Sequence, residues 1–164
     1  MKKYIYILVL ILLGMNLTAQ SVWNGKRESI TKGSGTENDP YLIENAQNLA
    51  WLVYLINYDY SEWTEGKYFQ LTTDIDLNGS ADNQWIPISA GLSMKGKIKS
   101  FDATLDGNYH KITGLYIDNN SEINNEKSLW FSHEASFFNY LPKTSIIINL
   151  YIEGSINIEN KNCA

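Results

Sequence analysis

A single cysteine, Cys163, lies one residue from the end of this 164-residue chain. It excludes an intrachain disulfide framework and a cysteine-rich zinc site. The two histidines, His110 and His133, are too few for a histidine-based metal centre. Arg27 is the only arginine, and 13 Lys+Arg against 18 Asp+Glu give a net charge of −5. That balance excludes nucleic-acid binding through a basic face, which would need a cluster of cations to neutralise phosphates. Charged residues make up only 19% of the chain, while 44% are hydrophobic and 13% aromatic. Such a composition fits one ordinary folded domain rather than a disordered or collagen-like segment.

The only long apolar run opens the chain. Lys2 and Lys3 precede residues 4–13, which are almost continuously apolar, and Gly14 and a short polar stretch lead to Thr18-Ala19-Gln20. This order of charged, apolar and cleavage regions predicts a secretory signal peptide over residues 1–20. The run falls well short of the ~20 apolar residues a bilayer-spanning helix needs. No cysteine follows it, which excludes lipoprotein-type attachment. The expected product is secreted or held at the cell surface, with no membrane span in the mature chain, and losing Lys2 and Lys3 makes it more acidic.

Residues 21–40 are polar and rich in turn formers, among them Gly33-Ser34-Gly35-Thr36 and Asn38-Asp39-Pro40. They read as an entry loop to a module over residues 41–160, with residues 161–164 as a tail. Tyr41-Leu42-Ile43 is strand-like. Asn45 then caps a segment in which Ala46, Leu49, Ala50, Val53 and Ile56 recur at helical spacing, which predicts a helix over about residues 45–57. After Gly66 the period changes to two. Short strands are expected at Tyr68-Phe69-Gln70-Leu71, Ile75-Asp76-Leu77, Trp85-Ile86-Pro87-Ile88 and around Phe101, Ala103 and Leu105. In the last stretch Ile146, Ile148, Leu150, Ile152, Ile156 and Ile158 all fall on even positions, predicting one buried face. Residues 114–118 (Gly-Leu-Tyr-Ile-Asp) and 149–153 (Asn-Leu-Tyr-Ile-Glu) resemble each other. Such a repeat suits stacked coils, while chance similarity within a small β-sandwich accounts for it as well.

Several stretches together resemble one family. Residues 33–43, Leu49-Ala50-Trp51-Leu52, residues 66–77, Trp85-Ile86-Pro87-Ile88 and Leu105-Asp106-Gly107-Asn108-Tyr109-His110-Lys111-Ile112-Thr113-Gly114-Leu115 follow in order the opening of GLUG-motif right-handed β-helix proteins. The resemblance implies an all-β fold, a right-handed parallel β-helix whose N-terminal end is covered by a single capping α-helix. It also implies export to the surface of bacteria of the Bacteroidota type and an adhesin-like role. One departure is evident: Ser136-Phe137-Phe138-Asn139 stands where the family has Gly-Leu-x-Gly. A coil stack ending after Ile156 and Ile158 would leave an open edge, implying edge-to-edge self-association or docking onto further coils.

Candidates for chemistry are few. His133-Glu134-Ala135-Ser136-Phe137 begins like a zinc-protease helix, but Phe137 stands where the second histidine ligand belongs. Asp74-Ile75-Asp76-Leu77-Asn78-Gly79 matches the start of a calcium loop, but Trp85 occupies the twelfth position, where a bidentate carboxylate is required. Asp102, Asp106 and Asp118 could serve as acid and base in polysaccharide cleavage, a chemistry that needs carboxylates paired at set separations. Without cations beside them they read as solvated corner residues. No catalytic residue, metal ligand or cofactor is therefore assigned. Of the five tryptophans, Trp51 and Trp85 read as core. Trp63 and Trp130 lie in polar, loop-like settings and, with Tyr60, are the candidates for carbohydrate contact. Packing of these loops onto the core is the competing reading.

The sequence therefore predicts an exported, noncatalytic module with a structural or adhesin-like role, whose partners would be surface glycans or a host or matrix protein. The alternative is a fragment of a secreted, polysaccharide-active lyase or glycosidase.

Overall fold

The computed structural model describes residues 21–58, 61–89, 100–118 and 136–157. In chain order the elements are β1 (Ser21–Val22), β2 (Tyr41–Ile43), α1 (Ala46–Asn57), a 3₁₀ turn (Ser61–Trp63), β3 (Tyr68–Leu71), β4 (Ile75–Asp76), β5 (Thr104–Asp106), β6 (Lys111–Asp118), β7 (Ile146–Ile148) and β8 (Tyr151–Asn157). The strands form two four-stranded sheets, ordered β1-β4-β6-β8 and β2-β3-β5-β7. Every pairing between them is parallel. Parallel neighbours cannot be joined by a tight hairpin. The chain therefore crosses through α1 between β2 and β3, and from β3 onward it alternates between the two sheets.

The helix forms for local reasons. Asn45 is extended (φ −160°) and its side chain accepts the Asn48 N–H at 2.7 Å, satisfying one of the donors a helix start leaves unpaired. At the other end the Tyr58 N–H still reaches the Tyr54 carbonyl at 3.0 Å. Leu49, Leu52 and Ile56 are fully buried. Asn48 is also buried, and it is satisfied on both sides: its Oδ1 accepts the Glu44 N–H at 3.1 Å, and its Nδ2 donates to the Glu28 and Ser29 carbonyls at 3.1 and 3.3 Å. A buried amide left without these partners would be costly.

The expected all-β, right-handed parallel β-helix with a capping helix is corrected here. The described residues form two small parallel sheets and one helix, with no closed or solenoid β-helix, and the fold is mixed and α/β-like. Nine of the twelve residues of α1 are buried, so the helix is a wall of the core rather than a lid on a finished stack. Most strands have only two to four residues, and only β6 and β8 are longer. Strands this short cannot enclose a core alone, and the apolar face of α1 supplies the missing surface.

Register places the core. Tyr41, Phe69, Leu105 and Ile147 stand side by side across β2, β3, β5 and β7, and Ile75, Ile112 and Ile152 do so across β4, β6 and β8. Phe69, Leu105, Ile75 and Ile112 are almost wholly buried, which joins both rows to the α1 side chains in one apolar core. The corners after β4 and β5 are built alike. Asp76 and Asp106 each accept, at 2.8 Å, the N–H of the asparagine two residues on, and Asn78 and Asn108 both adopt the left-handed region at φ 48°. Asparagine tolerates that region because its short polar side chain bonds locally. Gly107 follows Asp106 at a point where a Cβ would overlap the Asn149 carbonyl oxygen and lie 2.6 Å from Leu150 Cα. Only glycine admits so close an approach.

Three strand expectations change. The even-numbered face of the last stretch is not continuous: Ile146, Ile148 and Ile156 are 48%, 44% and 43% exposed, while the even-numbered Leu150 and Ile152 pack on the core together with the odd-numbered Ile147. Asn149 is the cause, because its left-handed backbone (φ 51°) breaks the alternation between β7 and β8. Ile158 lies outside the described residues. The two similar segments do not mark the register: Lys111 stands opposite Tyr151, and after a bulge Leu115 stands opposite Gly154 and Tyr116 opposite Ser155. Trp85-Ile86-Pro87-Ile88 belongs to no strand. Its backbone joins its neighbours through the Trp85 N–H to the Tyr116 carbonyl at 3.0 Å and a bridge from Ile88 to Phe138. On the opposite side the Pro87 carbonyl accepts Asn57 Nδ2 at 2.8 Å, and Pro87 has no N–H to offer a neighbouring strand there.

Candidate functional site

Of the residues singled out for carbohydrate contact, Trp63 lies within the described structure, while Tyr60 and Trp130 fall outside the described residues. Trp63 ends the 3₁₀ turn and is 42% exposed. Its ring stacks on Tyr41, with centroids 4.9 Å apart and planes inclined by 16°, and meets Trp51 edge-on at 5.2 Å. Tyr41 in turn tilts against Phe69 at 5.5 Å, which anchors the group to the core. β2, α1 and the 3₁₀ turn each supply one ring, so three separate elements are joined at one place. Aromatic pairs in these geometries contribute about 0.5–1.5 kcal/mol beyond the area they bury.

The sequence marks Trp63 as loop-like, Trp51 as core and Tyr41 as strand, and nothing in their spacing joins the three. Trp51 is only half-buried, as is Tyr41. The one local sign was Gly35. A side chain there would overlap the Tyr41 ring, so the Gly33-Ser34-Gly35-Thr36 turn is the bed on which that ring rests. The turn closes around the Asp39 carbonyl, which accepts the N–H groups of Ser34, Gly35 and Thr36 at 3.0, 3.0 and 3.2 Å. The Ser34 and Thr36 hydroxyls lie 3.3 Å apart on its exposed side.

The carboxylates weighed as acid and base are dispersed. Asp106 closes β5 in one sheet and Asp118 closes β6 in the other. Asp106 is held by three donors: the Asn108 N–H, Asn149 Nδ2 at 3.0 Å and Gln70 Nε2 at 3.2 Å. Burial pushes its carboxyl up, but these bonds together bring it below the ordinary value. Asp74 accepts the Lys111 N–H at 3.0 Å and approaches His110 Nδ1 at 3.0 Å. The Lys111 bond above all, and then His110, hold it below the usual carboxylate range. The calcium-loop segment is thus occupied with turn contacts, Asp74 toward β6 and Asp76 toward Asn78. Among the described residues no three His, Cys, Asp or Glu side chains are grouped to hold a metal ion. His133 and Glu134 lie outside those residues.

No helix among the described residues is long and apolar enough to cross a membrane. No family model matches the chain, and no solved structure matches it. Among curated proteins the chain is similar to one of Evansella cellulosilytica named "Putative Gly-rich membrane protein", at 37% identity over 89 residues. The match covers 52% of this chain and 9% of that relative, so the chain corresponds to a small part of the relative's length.

Proposed function

We propose that this chain is an exported, noncatalytic module with a structural or adhesive role at the bacterial cell surface. The observation that supports this best is the use made of its carboxylates. Asp74, Asp76 and Asp106 sit in the strand corners and accept backbone N–H groups there. Acid–base chemistry needs carboxyl groups placed against a substrate and tuned apart from one another. Corner carboxylates bound to the backbone instead shape the turns, as Asp76 and Asp106 do, or tie one turn to the next, as Asp74 does to Lys111. The signal-peptide pattern of residues 1–20 supports export, and the resemblance to GLUG-motif proteins supports a surface role.

Expression with residues 1–20 in a bacterial host, followed by N-terminal sequencing of the exported material, tests the address. The expected first residue is Gln20 or Ser21, and exported material still beginning at Met1 would remove the basis for the reading. Self-association through β7 and β8, which are edge strands of their sheets among the described residues, belongs to the same proposal. Sedimentation across a range of concentrations measures it.

A further inference from the structure

We propose that Trp63, backed by Tyr41 and Trp51, is a binding platform for neutral pyranose chains. This rests on the adhesive reading above and names the ligand class. The first ground is rigidity. An exposed indole on a free loop would lose conformational entropy on binding, whereas Trp63 is already held by Tyr41 at 4.9 Å and Trp51 at 5.2 Å. It nevertheless keeps 42% of its surface open. A fixed, partly open aromatic ring suits the flat C–H face of a pyranose, which carries no charge and is otherwise solvated poorly.

The second ground is the polar rim. Ser34 and Thr36 flank Gly35, the residue on which Tyr41 rests, and both are exposed. Their hydroxyls can donate and accept, as sugar hydroxyls do. A few polar groups beside an apolar surface are what fixes the orientation of a ligand.

The third ground selects among sugars. Glu62 and Glu65 lie on either side of Trp63, and Glu37 and Asp39 lie on the turn beneath Tyr41; all four are exposed. Lys67 is half-buried, and Lys32 is held by Glu44 at 2.6 Å. The field around the ring is therefore negative. It disfavours uronic-acid or sulfated chains and leaves uncharged ones unaffected, with the discrimination fading as salt screens charges beyond roughly 10 Å at 0.1 M.

The test uses the indole N–H signals of the nitrogen-15-labelled protein, with Trp63 assigned by its absence in Trp63→Phe. Cellohexaose, xylohexaose and mannohexaose are titrated at low salt, with hexagalacturonate as the charged counterpart. The expected result is a saturable shift of the Trp63 signal with at least one neutral hexaose and none with hexagalacturonate. Trp63→Ala should lose about tenfold in affinity, equivalent to ~1.4 kcal/mol, and Trp63→Phe should fall between it and the parent. No saturable Trp63 shift with any neutral hexaose overturns the proposal, as does equal binding of hexagalacturonate or undiminished affinity in Trp63→Ala. The wild-type titration decides the matter even if Trp63→Ala fails to fold. Chain length of the sugars is measured after incubation. Shortening would overturn the noncatalytic reading alone, leaving the platform to be judged by the Trp63 signal.

Discussion

His110 Nδ1 lies 3.0 Å from Asp74 Oδ1, joining the corner before β6 to the corner before β4. The same oxygen accepts the Lys111 N–H, so one carboxylate ties together two turns 36 and 37 residues apart. This is a long-range contact made by a residue whose sequence setting suggested a metal loop.

The first prediction concerns acid. Asp74 and Asp106 are both held below their ordinary value of 3.8 in the folded chain. A depressed carboxyl contributes stability that is fully present above the unfolded value and is lost as pH falls from there through the lower folded value. Unfolding temperatures should therefore be flat with respect to these two groups above about pH 5 and decline as pH falls below about 4. Asp74→Asn and Asp106→Asn should each make that fall shallower; slopes equal to the parent's would count against the bonds described.

Helix packing gives the second. Leu49 is fully buried between α1 and the sheets. Leu49→Ala should cost about 2–5 kcal/mol, the range for deleting a buried leucine side chain and leaving a cavity. Denaturant unfolding measures it, and a loss well below 1 kcal/mol would mean α1 is not part of the core wall.

The third tests the helix start separately from its packing. Asn45→Ala removes the acceptor for the Asn48 N–H and should cost about 1 kcal/mol. Asn45→Asp keeps the acceptor and should restore most of the loss. Equal destabilisation by both would exclude capping as the reason.

Close approach at a corner supplies the fourth. A methyl group at position 107 has nowhere to go, because the atoms it meets are the backbone of Asn149 and Leu150. Gly107→Ala should destabilise by about 1–3 kcal/mol or more, as overpacking does. Hydrogen exchange of the amides at positions 107 and 109 should rise in the variant, since the Gly107 N–H donates to the Ile148 carbonyl and the Tyr109 N–H to the Asn149 carbonyl. Unchanged exchange would show that the corner yields without cost.

The last prediction follows from the corner carboxylates. Asp106→Asn should change stability without changing turnover of any polysaccharide, because its oxygens are committed to Asn108, Asn149 and Gln70. Reducing-sugar release that the substitution abolished would establish the enzymatic alternative.

Local structure was legible in the chain before its fold was known. The Asn45 cap, the helical spacing from Ala46 to Ile56 and the strands at Tyr41–Ile43 and Tyr68–Leu71 depend on interactions within a few residues, and those are written in neighbouring side chains. The alternation of Phe101, Ala103 and Leu105 likewise marked three buried side chains. Partnership was decided only in three dimensions. The left-handed turn at Asn149 moved the apolar face of Ile146 and Ile148 outward, β6 and β8 paired in a register that sets Leu115 opposite Gly154 rather than Leu150, and Tyr41 and Trp51 met Trp63 from separate elements. Each outcome depends on backbone approach across tens of residues. Short strands of two to four residues carry too few alternating positions to specify that approach alone, so the helix wall and the corner hydrogen bonds select it.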